Sequence, residues 1–106
     1  MRIAFSRSGG FAGVVLSGMF EPGSLEPGVE GEIRRLADAA SFFDLPGEVP
    51  ARSAGADRFV YQVSIEDGGR AHAVRVAESA AGAPLKALLR KLAELVREKP
   101  QPDGDR

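Results

Sequence analysis

Hydrophobic and polar positions alternate over residues 2–7, RIAFSR, setting Ile3 and Phe5 on one face and Arg2, Ala4 and Ser6 on the other. The same period of two returns over residues 14–20, VVLSGMF, with Val14, Leu16 and Phe20 in step. Alternation of this kind marks a half-buried strand. The chain therefore opens as a β-hairpin, closed by the glycine-rich turn SGGFAG. EPGSLEPG then breaks the pattern, and Ser24 or Glu26 can start a helix with Pro27 tolerated in its first turn. From there Val29, Ile33, Leu36, Ala37 and Ala40 recur at helical spacing, while Glu30, Glu32, Arg34, Arg35 and Asp38 turn outward. Gly28 and Gly31 weaken this helix by roughly 1 kcal/mol each against alanine, so it depends on tertiary packing.

Phe42, Phe43 and Leu45 in SFFDLP predict a buried turn ending at Pro46, and residues 46–57, PGEVPARSAGAD, read as a loop. RFVYQVSIE then alternates cleanly, with Phe59, Tyr61, Val63 and Ile65 inward and Gln62, Ser64 and Glu66 outward. DGG is a strong hairpin turn. The return strand RAHAVRVA carries His72, Val74 and Val76 on one face. A two-residue loop at Asp67-Gly68 or at Gly68-Gly69 gives pairings that differ by two residues, and both keep the same side chains inward. The clearest helix is PLKALLRKLAELVREK, where Leu85, Leu88, Leu89, Leu92, Leu95 and Val96 form a wide apolar stripe after Pro84. The expected fold is α+β in ββα-ββα order: two hairpins pair into a four-stranded, mainly antiparallel sheet with two helices packed on one face. One domain is expected over residues 1–98, followed by a disordered polar tail at 99–106.

Composition changes this picture little. The 106 residues are 43% hydrophobic and 27% charged, ordinary values for a globular protein. A net charge of −1 supplies no general attraction to nucleic acid or anionic lipid. No apolar run reaches the about 20 residues of a membrane-spanning helix. Arg2 and Arg7 precede GGFAGVVLSGMF in the manner of a signal peptide, but glycines interrupt that run and no small-residue cleavage site closes it. An unexported, cytoplasmic protein is expected.

Candidate chemistry is sparse. The chain has no cysteine and a single histidine, so no zinc spacing or catalytic histidine constellation exists. His72 shares a face with Val74 and Val76 and reads as a partly buried structural residue. Glu66 and Asp67, or Asp103 and Asp105, lie in a turn and the tail, where nothing desolvates them for acid–base work. SGGFAG lacks the spacing of a phosphate-binding loop and joins two strands instead of opening a helix. Lys86, Arg90 and Lys91 form a basic strip that reads as a solvated face. No metal, no cofactor and no enzymatic activity are expected.

Phe11 stands apart, because a turn needs its glycines but not a large aromatic at its tip. Two readings stand open: the ring caps the core, or it projects as an anchor for a partner.

Taken in order, RSGGFAG (Arg7 to Gly13), LADAASFFDLP (Leu36 to Pro46), GADRFVYQVSIEDGGRAHAVRV (Gly55 to Val76) and the closing PLKALLRKL resemble the emfourin family, inhibitors of thermolysin-like zinc metalloproteases such as protealysin. The resemblance implies a non-enzymatic bacterial protein that occupies the active-site cleft of a cognate protease. On that reading Ser8, Gly9, Gly10, Phe11, Ala12 and Gly13 bind the protease, with Asp57 and Arg58 as secondary contact candidates. The competing reading at Asp57 and Arg58 is a cap or ion pair that orders the loop. The partner would be a thermolysin-like zinc metalloprotease, and the free inhibitor is expected to be monomeric. One rival is an adaptor module that binds another protein through the N-terminal hairpin or a sheet edge. A small enzyme is the other, disfavoured by the missing nucleophile, base and metal set.

Overall fold

Four of the strands form where the alternation predicts them. The computed structural model describes residues 1–9, 13–50 and 59–98. In chain order the elements are β1 (Arg2–Gly9), β2 (Gly13–Phe20), α1 (Pro27–Ala39), β3 (Glu48–Val49), β4 (Phe59–Asp67), β5 (Arg70–Ala77) and α2 (Ala83–Glu98). Short 3-10 turns at Phe42–Asp44 and Glu78–Ala80 link them. The predicted tail at 99–106 lies outside the described residues, as do Gly10, Phe11, Ala12, Asp57 and Arg58.

The sheet order is β2-β1-β4-β5-β3. The two hairpins join through their first strands, β1 against β4, and these four strands are antiparallel throughout. The four-stranded expectation needs one correction. Inside the predicted loop at 46–57, Glu48–Val49 adds a fifth strand, parallel to β5 at the sheet edge, so the sheet is mixed. The Arg75 amide donates to the Gly47 carbonyl at 2.8 Å and secures it. A strand of two residues carries no alternation to read.

A second correction falls on Val14. Arg7 pairs with Leu16 but Ser8 pairs with Val14, leaving Val15 as the extra residue of a β-bulge. One inserted residue reverses the phase of a strand. Val14 therefore leaves the face of Leu16 and Phe20 and stands 63% exposed.

Both helices lie on one face of the sheet. Ile3, Phe5, Val63, Ile65, Val74 and Val76 meet Ile33 and Ala37 of α1 and Leu85, Leu88, Leu89, Leu92 and Val96 of α2 in one core. On the opposite face Gln62, Ser64, Ala73 and Arg75 are exposed. Pro27 occupies the first turn of α1 behind Glu26, while the Ser24 hydroxyl donates to the Glu21 carbonyl at 2.7 Å and closes the turn before it. Gly68 and Gly69 form the two-residue loop between Asp67 and Arg70, with φ of 59° and 89°. Positive φ at both central positions is the type I′ requirement, and it decides between the two pairings.

Gly18 is set by packing. A Cβ there would lie 2.9 Å from one methyl group of Val96, so α2 rides directly on the backbone of β2. Gly18→Ala is expected to cost about 1–3 kcal/mol through overpacking, read as a lowered urea midpoint.

The second hairpin is tied to α1 by charge. The Arg34 guanidinium donates to both oxygens of Asp67, at 2.8 and 2.9 Å, and these bonds hold the Asp67 carboxyl below its ordinary value of 3.8. A carboxyl lowered on folding contributes stability that is complete above its unfolded value and lost as pH falls through the folded one. Arg34→Gln is therefore expected to move acid unfolding to higher pH, followed by circular dichroism below pH 5 or so.

Candidate functional site

Ser8, Gly9 and Gly13 gather at one end of the sheet. Gly9 is paired on both sides, with Gly13 of β2 and with Phe59 of β4. Ser8 is paired likewise, with Val14 and Val60. Gly9 and Gly13, which flank residues 10–12, are thus both held in a sheet whose β1 runs between two partners. Gly13 has φ of 69°, a left-handed conformation that glycine adopts without a steric penalty.

The same register draws in the second candidate segment. Phe59 faces Gly9 across the ladder and follows Arg58 directly in the chain. Gly9, which leads into residues 10–12, and Phe59, which follows residue 58, are therefore neighbours in space, although 50 residues separate them along the chain. β3 runs parallel to β5, so it too ends level with the start of β4.

Two residues before Gly9 lies a contact that side-chain alternation alone does not show. The Arg7 guanidinium carbon stands 4.6 Å from the centroid of the Phe59 ring, a cation–π arrangement. The Arg7 Nε is buried and makes no hydrogen bond. Its signal was available: Arg7 continues the Ile3, Phe5 phase, so a charge was due on the inward face. Tyr61 sits beside it, half-buried, with its ring 5.9 Å from that of Phe5.

The remaining polar candidates are structural. The His72 Nε2–H donates to the Leu45 carbonyl at 2.7 Å, and its ring meets Phe42 edge-on at 5.7 Å. That bond fixes the tautomer, since a carbonyl only accepts. The Glu66 carboxylate receives Arg2 at 3.2 Å in an exposed pair. Asp67, held ionised by Arg34, is no proton donor near neutral pH. Among the described residues no group of three His, Asp or Glu side chains is placed to hold a metal ion. What this end of the sheet presents is Ser8, Gly9 and Gly13 held in the strand ladder on either side of residues 10–12.

The emfourin family model matches residues 5–93, which include most of the first hairpin, all of the second, both candidate segments and most of α2. The chain belongs to the emfourin family. That family is one of protease inhibitors, and membership implies a metalloprotease partner in general terms. No curated protein and no solved structure matches the chain. No described helix is long and apolar enough to cross a membrane.

Proposed function

We propose that this emfourin inhibits thermolysin-like zinc metalloproteases by seating its glycine turn, Ser8 to Gly13, in their active-site cleft. Phe11 fills the apolar pocket that receives the residue after the scissile bond. Gly10 and the flanking glycines let the backbone approach the cleft walls. Asp57 and Arg58 contact the rim of the cleft. The protein works free of cofactors, as a monomer, in the cytoplasm beside its target.

The observation that carries this reading is the double pairing of Gly9, to Gly13 and to Phe59. A turn whose ends are already fixed loses little conformational entropy on binding, so it can bind tightly without being a good substrate. The adaptor reading rests on β2, the outer strand, where Val14 and Met19 are 63% and 49% exposed. Titrating a panel of thermolysin-like proteases separates the two. Stoichiometric, competitive loss of peptidase activity with the inhibitor recovered uncut is the expected result. Failure against the whole panel by folded protein would contradict it.

A further inference from the structure

The basic strip of the last helix, a solvated face by its sequence, is divided in the structure. Lys91 pairs with Glu32 at 3.2 Å. Lys86 and Arg90 instead line a cavity of about 340 Å³ between α2 and the sheet, together with Arg97, Arg7 and the half-buried Tyr61. Four cationic side chains thus line it, three from α2 and one from β1, and Glu78 is the one carboxylate among its lining residues. Among the described residues none of the four makes an ion pair, while Arg2, Arg34 and Arg75 each do. The whole chain has a net charge of −1, so this concentration of positive charge is local.

Arg7 supplies an independent sign. Its Nε is buried without a hydrogen bond while the Phe59 ring supports the guanidinium plane. A buried N–H without an acceptor is unfavourable and rare. A fork of guanidinium donors matches the paired oxygens of a carboxylate or phosphate. The geometry points to an oxyanion site in this cavity, with Arg7 at its floor and Lys86, Arg90 and Arg97 on the α2 wall. Its ligand is a carboxylate or phosphate group, carried either by a free small anion or by an acidic side chain of a bound protein. The site stands independently of the inhibitor reading, but its floor strand leads directly into the glycine turn.

Side-chain NMR tests it. The arginine Nε–H resonances of the full chain are followed while inorganic phosphate, then citrate, is added at constant ionic strength. Arg7 and Arg90 are expected to shift saturably, and Arg34, already occupied by Asp67, is not. A variant carrying Lys86→Glu and Arg90→Glu, both exposed positions, should weaken phosphate binding at least tenfold with its amide spectrum otherwise retained. Arg97→Ala serves if the double variant does not fold. Uniform shifts at every arginine, or binding undiminished in a folded variant, would overturn the site. An inhibition titration identifies the source of the anion. If phosphate competes with the protease for wild type but not for the variant, the ligand is a protein carboxylate. If phosphate binds without affecting inhibition, it is a free anion. Should no protease be inhibited at all, the inhibitor reading fails and the NMR result still decides the site.

Discussion

Replacing Phe11 with alanine is expected to weaken inhibition of a thermolysin-like protease by more than about 2 kcal/mol, roughly thirtyfold, while the melting temperature stays nearly unchanged. The effect is large because an aromatic anchor in a desolvated pocket carries a disproportionate share of interface energy. Stability should hold because an anchor ring is buried against the protease and not in the protein's own core. Inhibition constants and thermal unfolding of one preparation give both numbers. A fall in stability with inhibition intact would make Phe11 a core cap and overturn its role as anchor.

Phe42→Ala should do the reverse. Phe42 is 1% exposed and meets Phe43 and His72 edge-on, at 5.4 and 5.7 Å between ring centroids. It occupies the 3-10 turn between α1 and β3, so its ring joins the helix layer to the sheet edge. Truncating a buried phenylalanine costs about 3–5 kcal/mol. Against a total of about 5–15 kcal/mol, that is a large share. Urea unfolding should show it as a lowered midpoint, with inhibition by the folded fraction unaltered. A loss under about 1 kcal/mol would mean that the site collapses around the gap.

These two phenylalanines mark what the sequence could and could not disclose. Periodicity located four strands, both helices and the buried turn at Phe42, because burial of one face imposes the repeat. It failed where repeat and geometry part company. Val14 kept the apolar alternation, yet the bulge at Val15 turned it to solvent. Glu48–Val49 was too short to show any period and is held by backbone bonds, which side-chain patterns do not record. The candidate turn was visible as an aromatic among glycines. That Gly9 lies opposite Phe59 was not, because it depends on β1 pairing with β4 across the chain. The Arg7–Phe59 contact is of the same kind, a product of register.

Hydrogen exchange on the complex reads out whether the end of the sheet carrying residues 8–13 enters the protease cleft. Adding active enzyme should slow exchange in the peptides covering residues 8–13 and the start of β4. Filling the cleft first with a small zinc-chelating inhibitor should abolish that protection. Protection confined to the outer edge of β2 or to the open sheet face, and indifferent to a filled cleft, would mean that the protease is bound by another surface or not through its cleft.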